Sequence, residues 1–379
     1  MPQIVPPLAT FLATVPEFRC AQGRRHPLRA LLLLACAAML CGARGESAIA
    51  DWAKNYGSPW RTRLGFTHPN GPSQSTIYRL LQGIDCTALE RALSAWAAQV
   101  LAQLPTTAAP LSVEAVAIDG KTLRTSQHCG AMDAHLLSAL SQRLGIVLGQ
   151  VAVRDKTNEI RAMDALLADL LLTGWVVTTD ALFTQRAIAE TILTAGGDSL
   201  MAVKGNQPRV LEDLTTLFAD PERAVVRAEE TRLHGRRIEQ RRLSVSTELT
   251  SDTDWPGLAQ ALCVERRVTD KRTGETHCET AYAITSLAPQ RATPSQLLVL
   301  WRGHWQIENK LHWVRDVTFG EDRSLVHAGR VPQVMAAIRN TAIGLHRLLG
   351  ATNIAAACRQ YQAQPALALA ALGLTWENE

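Results

Sequence analysis

Twice in this chain an apolar run ends on an aspartate. Val113-Glu114-Ala115-Val116-Ala117-Ile118 leads into Asp119, and Trp175-Val176-Val177-Thr178-Thr179 leads into Asp180. A short, nearly continuous apolar run reads as a strand buried on both faces, the habit of parallel strands covered by helices. Each acid then falls at the carboxyl edge of its strand, where α/β folds gather their binding groups.

The neighbouring segments extend the pattern. Strands are predicted over 135–142 and 146–153, with Gly145 between them as a hairpin turn. Asn158–Leu172 reads as a helix with Ile160, Met163, Leu166, Leu167, Leu170 and Leu171 on its apolar side, and Gly174 stops it. A helix over 181–195 carries Gln185. Leu200–Lys204 is a further strand, and Gly205-Asn206-Gln207 turns into a helix over 208–218. The order strand, strand, strand, helix, strand, helix, strand, helix is that of the ribonuclease-H-like fold. There the first and fourth strands are neighbours, so Asp119 and Asp180 are expected side by side at one sheet edge. An acid from a late helix would complete the cluster.

Trp301-Arg302-Gly303-His304-Trp305-Gln306-Ile307-Glu308-Asn309-Lys310-Leu311-His312-Trp313 supplies one. On a single α-helix, at ~100° per residue, Trp301, His304, Trp305, Glu308, His312 and Arg315 fall on one stripe. Leu300, Ile307, Leu311 and Val314 flank it as a core face. Glu308 is then a lone carboxylate among aromatic, imidazole and guanidinium groups.

Before the first strand, helices are predicted over 27–41, 45–55, 73–83 and 86–103. Ser73 or Ser75 is a cap for the third, the Pro/Gly-rich stretch 57–72 is a spacer, and 104–110 is a linker. Residues 221–285 break the α/β pattern with strands over 224–226, 238–245, 261–269 and 279–286. From Glu222 to Arg242 there are seven Arg against four Glu. This β-rich insertion is expected to lie outside the core sheet, with its Arg232–Arg242 hairpin facing a polyanion. Helices over 330–349 and 353–372 close the chain. The reading is α/β: a ribonuclease-H-like catalytic core with a β-rich insertion, preceded by a small all-helical domain. Its parts are 1–110 helical, 111–220 first part of the core, 221–293 insertion, 294–350 final core helices and 351–379 helical tail.

Composition excludes some alternatives. The formal net charge is only +4, compatible with a polyanionic partner without requiring one. None of the eight Cys falls in a CxxC pair or at zinc-ligand spacing, which reads as reduced thiols in a cytoplasmic protein. The apolar run Leu28–Cys41 is too short to span a bilayer and reads as a buried helix. No membrane contact is expected.

Five motifs then carry a family resemblance. Ala117-Ile118-Asp119-Gly120-Lys121-Thr122, Asp180-Ala181-Leu182-Phe183-Thr184-Gln185, Lys204-Gly205-Asn206-Gln207, His234-Gly235-Arg236-Arg237-Ile238-Glu239 and the run from His304 to Val317 resemble, in this order, the DDE transposases of bacterial insertion sequences. The group most similar includes the H-repeat-associated proteins, and the resemblance covers roughly residues 15–350. It implies metal-dependent phosphodiester cleavage at element ends and transfer of the freed 3′-hydroxyl into target DNA. It also implies two Mg²⁺ or Mn²⁺ ions held by Asp119, Asp180 and Glu308. The partners implied are double-stranded DNA, as terminal inverted repeats and target, and a second copy of the chain on that DNA. The location implied is cytoplasmic and nucleoid-associated. Related transposases carry Tyr-x2-Arg-x3-Glu-x6-Lys around the third acid; here those places hold Trp301, His304, Glu308 and Arg315, with the spacing kept and the residue types changed. DNA contacts are expected from Lys121, Gln185, Lys204, Asn206, Gln207, Arg236, Arg237, Trp301, His304, Trp305 and Arg315. Two alternatives use the same acids: a metal-dependent nuclease without strand transfer, and a catalytically silent DNA-binding relic.

Overall fold

A computed structural model describes residues 5–103, 114–123, 135–153, 159–220, 222–223, 225–250, 253–324 and 329–374. The predicted linker 104–110 and the predicted strand start at Ala224 lie outside them. The chain forms two compact units: Met1–Thr106 with Gly120–Ala162 and Ile307–Glu379, and Thr107–Asp119 with Met163–Gln306.

The second unit is built on a large sheet. Strand β1 (Ala115–Thr122) begins here, and its last residues belong to the other unit. After β2 (His135–Ser141) and β3 (Val147–Val153) come β4 (Val176–Thr179), β5 (Asp198–Val203), β6 (Val226–His234), β7 (Arg237–Ser246), β8 (Gln260–Asp270) and β9 (Thr276–Thr285). The order in the second unit is β1-β4-β5-β9-β8-β7-β6. The strands β1, β4 and β5 are parallel. Every residue of β4 and β5 is buried, as their apolar runs require.

The insertion does not stand outside this sheet. Strand β9 pairs antiparallel with β5, Leu200 opposite Thr285 and Val203 opposite Tyr282, so β6–β9 extend the core sheet. Thr285 Oγ1 donates to the Ser199 carbonyl at 2.6 Å, fastening the join. Leu243, Leu262 and Ala283 pack in one core with Leu297, Leu298 and Leu300, and this burial draws the insertion onto the sheet. The β6–β7 turn is two residues, with Gly235 at φ +55° first, as a type II′ turn demands.

Thr293 starts the helix Pro294–His304 with a capping box. Its hydroxyl accepts from the Gln296 amide, the Gln296 side chain accepts from the Thr293 N–H at 2.8 Å, and Pro294 occupies the first turn. His304, at its end, is 5% exposed and hydrogen-bonds Thr178 Oγ1 at 3.2 Å through Nδ1.

The first unit holds the helices Leu28–Leu40, Glu46–Asn55, Gln74–Gly83 and Cys86–Gln103, close to expectation. Leu28–Leu40 is apolar and buried at every position but Arg29. Ser73 caps the third helix by accepting from the Thr76 amide. The 57–72 stretch is not only a spacer: Gly57–Leu64 is helical, and Gly65 at φ +92° ends it. Strands β2 and β3 form the predicted antiparallel hairpin, with Gly145 at φ +67° in its loop, and β2 neighbours β1. Among the described residues no helix is long and apolar enough to cross a membrane.

The segment around Glu308 departs from a single α-helix. Its Glu308–His312 turn is π-helical, and Trp313–Val317 resumes as α-helix. A π turn bonds i to i+5 and resets the helical phase of the residues after it. The stripe drawn from Trp301 to Arg315 is therefore broken.

Candidate active site

In the second unit, β1 and β4 are in parallel register with Ile118 opposite Thr179. Asp119 follows on β1, and Asp180 is the first residue past the end of β4. Register partners on adjacent parallel strands lie ~4.8 Å apart and project to the same face. Both aspartates are half-buried. Asp180 Oδ1 accepts from the Leu182 amide at 3.1 Å, capping the short 3₁₀ turn Ala181–Phe183. Burial pushes the Asp180 carboxyl up, against backbone hydrogen bonds and the Lys204 charge that pull it down. It is a desolvated carboxylate whose anionic form gains from a nearby cation.

Asn206 and Gln207 brace this edge. Asn206 Nδ2 donates to the Ala181 carbonyl at 2.5 Å, and Gln207 Nε2 donates to the Thr184 carbonyl at 2.9 Å and contacts Gln185 Oε1 at 3.5 Å. Their amide N–H groups hold the loop after β4, while Lys204 is exposed beside it.

In the first unit, Glu308 is exposed and pairs with buried His312 through Nδ1 at 3.2 Å. That hydrogen bond holds the Glu308 carboxyl below its usual range against partial burial, with help from the His312 and Lys121 charges. Lys121 Nζ reaches Asp316 at 2.6 Å and Asp322 at 3.8 Å. Behind them Glu321 is 3% exposed between two guanidiniums, accepting from Arg315 Nε at 2.8 Å and Arg339 Nη1 at 2.8 Å.

Three expected DNA contacts are corrected here. Arg315 is fully buried and its charge is used by Glu321. His304 is buried, and burial pushes its imidazole down to about 4, so it carries no charge for a phosphate at neutral pH. The Lys121 ammonium is tied to Asp316, with a side chain only 11% exposed. Trp305 is 49% exposed; Trp301 is half-buried against the core. The Arg excess of the insertion is also largely internal. Arg232 and Arg302 pair with Glu230, Arg241 and Arg266 with Glu239, and Arg242 with Glu229. Arg236 and Arg237 stay exposed at the turn. The β8–β9 turn lies beside them, joined by the Lys271 N–H donating to the Arg236 carbonyl at 2.8 Å, and adds exposed Lys271 and Arg272.

The buried histidines give a pH signature. His346 is likewise pushed down to about 4 by burial. Above pH ~6.5 both are neutral folded or unfolded; below it the unfolded chain takes up protons first. Stability should therefore fall as pH drops from ~6.5 towards 4, by at most ~1.4 kcal/mol per pH unit for each histidine. Thermal unfolding from neutral to mildly acidic pH checks this, with His304→Gln expected to flatten part of the slope. A slope unchanged in that variant contradicts the assignment.

Two parallel neighbouring strands of an α/β sheet thus each lead into an aspartate. The chain matches the Transposase DDE domain family over residues 112–345 and the DDE_Tnp_1-associated family over residues 9–97. It belongs to the DDE transposases, in the group of the H-repeat-associated proteins. It is 31% identical to YbfL and 30% identical to the "H repeat-associated putative transposase YhhI", both of Escherichia coli (strain K12), in each case over 89% of both chains. A solved piggyBac transposase synaptic complex with hairpin DNA is similar at a TM-score of 0.37 and 10% identity over 98% of this chain and 78% of that one, a likeness too distant to define the fold.

Proposed function

We propose that this transposase cuts DNA at the ends of a mobile element and joins the freed 3′-hydroxyl to target DNA, using Asp119, Asp180 and Glu308 as one carboxylate set. The observation that supports the reading is the parallel β1–β4 register, whose last pair, Ile118 opposite Thr179, comes one residue before Asp119 and Asp180. The strand order β3-β2-β1 in one unit and β1-β4-β5 in the other, with β2–β3 antiparallel and β1, β4 and β5 parallel, supports a ribonuclease-H-like core. Glu308 joins the set through Lys121. That lysine follows Asp119 by two residues on β1, on the same strand face, and its charge acts on Glu308.

The donors fit hard divalent cations. All three are carboxylates, the ligands Mg²⁺ and Mn²⁺ prefer, and Asp180 is desolvated in the way a cation relieves. Asp119, Asp180 and Glu308 would hold the cations. When bound, the ions supply Lewis-acid activation of the attacking oxygen and stabilise the leaving oxygen. The chain's own residues do the rest. His312 keeps Glu308 ionised, and the Lys121–Asp316 pair fixes the turn that bears it. Asn206 and Gln207 hold the loop after Asp180, with Gln185 and Lys204 beside them at the DNA edge. Trp305 offers an indole face for an unpaired base near the cut. Two copies of the chain would act on paired ends at the nucleoid.

The test is excision of a plasmid-borne element flanked by its own ends, with Mg²⁺. Excision with reinsertion, stopped by a chelator, is expected. Cutting without reinsertion identifies a nuclease, and DNA retention without cutting identifies a relic.

The exposed turns Gly235–Arg237 and Lys271–Arg272 are read as a phosphate contact. Replacing Arg236 and Arg237 with alanine should weaken duplex binding and lower the salt-dependence slope by up to ~0.9 per lost phosphate contact. Unchanged affinity and slope in a gel-shift titration would leave these turns as a solvated tip.

A further inference from the structure

The first unit contains a cleft of about 740 Å³ that the site above does not use. Its walls come from the N-terminal helices, from the segment after Glu308 and from the C-terminal helix Ile354–Ala363. We propose that this cleft holds an unpaired stretch of DNA strand, by guanidinium contacts to phosphates and stacking of a base on Trp313. The proposal rests on the reading of the chain as a DNA-processing enzyme and assigns that enzyme a second DNA site.

Charge comes first. Arg44, Arg347 and Arg359 line the cleft, against one acid, Asp51, which is already paired with Lys54 at 3.4 Å. Among the described residues, neither Arg44 nor Arg359 has an ion-pair partner, and both are exposed. Arg347 is half-buried in the wall. It donates one N–H to the Lys310 carbonyl at 2.9 Å, while its Nε is buried without a partner. Three guanidiniums with so little counter-charge favour an anion with several acceptor oxygens, and a phosphodiester is one.

Shape and stacking narrow the ligand. Trp313 lines the same cleft and is 55% exposed, an unusual state for an indole. Tyr56 adds aromatic surface, its ring 4.8 Å from that of buried Trp52. A ligand that is anionic and also offers a flat aromatic face is a nucleotide. The cleft's volume lies within the ~300–1,000 Å³ of small-ligand sites. It takes a base or two with their phosphates, and a duplex is too broad to enter.

The π-helical turn explains the placement. Asn309 and Trp313 line the cleft, while Glu308 and His312, one residue earlier in each case, form the carboxylate–imidazole pair. One turn of chain therefore presents the catalytic acid and the stacking surface on adjacent faces. A strand freed at a cut end has a place to go without leaving the protein.

The experiment uses the full chain and a fluorescent single-stranded oligonucleotide of ~10 nucleotides. Binding is read by anisotropy and by tryptophan quenching. Trp313→Leu should weaken single-strand binding at least ~5-fold, the low end for loss of one stacked base. Arg44→Ala with Arg359→Ala should lower the salt slope by roughly 1.4, two phosphates at ~0.7 each. All three side chains are exposed, so circular dichroism and the thermal midpoint should match the parent. Single-strand affinity and slope unchanged in these folded variants overturn the proposal, even if excision proceeds normally. Loss of single-strand binding sustains it, even if the parent neither excises nor cuts. A free deoxynucleotide that competes as well as the oligonucleotide overturns it in favour of a small-molecule site. Concentration-dependent dimerisation abolished by Trp313→Leu, with single-strand binding intact, overturns it in favour of a protein contact.

Discussion

Glu321→Ala should destabilise the protein by ~3–5 kcal/mol, a large part of the ~5–15 kcal/mol that holds a typical domain together. Glu321 is the only counter-charge bonded to both Arg315 and Arg339 among the described residues, and all three are almost entirely buried. Alanine leaves two guanidiniums in the interior with no carboxylate. Arg339 also donates to the Arg44 carbonyl at 3.0 Å, so the disturbance reaches the N-terminal helices of the same unit. Glu321→Gln keeps the volume and an accepting oxygen and should fall between alanine and the parent. Urea unfolding separates the three by midpoint, provided the slopes agree. Burial pushes the Glu321 carboxyl up, but Arg315 and Arg339 hold it below its usual range. Its stabilising contribution is therefore complete above the unfolded carboxylate pKa of ~4.3 and is lost as pH falls through the lower folded value. An alanine variant within ~0.5 kcal/mol of the parent would make this cluster an ordinary surface feature.

The same cluster shows where the sequence is hard to read. Gly320-Glu321-Asp322-Arg323 has the composition of an exposed turn. Its burial is decided by Arg339, 18 residues later, and no local pattern carries that pairing. Arg315 looks available for phosphate for the same reason. By contrast, β1 and β4 are legible because burial on both faces demands apolar residues at every position, and the acids stand where that demand stops. Their adjacency is non-local and comes from element order. The π turn is invisible because its i to i+5 bonding differs from α by one residue, and Glu308–His312 suits either. The place of the insertion escapes a local reading because it depends on β9 pairing with β5, whose partners Ser199 and Thr285 are 86 residues apart. The arginines of β6–β8 suggest a charged face by count, whereas register sets Glu230 opposite Arg241 and Arg266 opposite Glu279. The turn residues Arg236, Arg237, Lys271 and Arg272 stay exposed.

Glu308→Gln separates a metal ligand from a surface carboxylate. The Glu308 side chain is 61% exposed, so a neutral isostere should leave the fold intact, and glutamine keeps an oxygen to accept from His312. Binding to the element's ends should be unchanged or slightly tighter, because a negative charge near phosphates is gone. Cutting should fail. Losing one carboxylate of a two-metal site raises the barrier by several kcal/mol, and each ~1.4 kcal/mol is tenfold in rate. The measurement is cleavage of end-bearing plasmid DNA in Mg²⁺ by parent and variant, beside a gel-shift titration of each. The expected result is a folded Glu308→Gln protein that holds DNA as the parent does and cuts at least ~100-fold more slowly. A folded variant that cuts within tenfold of the parent contradicts the assignment of Glu308 to the metal site, and with it the three-carboxylate account of this transposase.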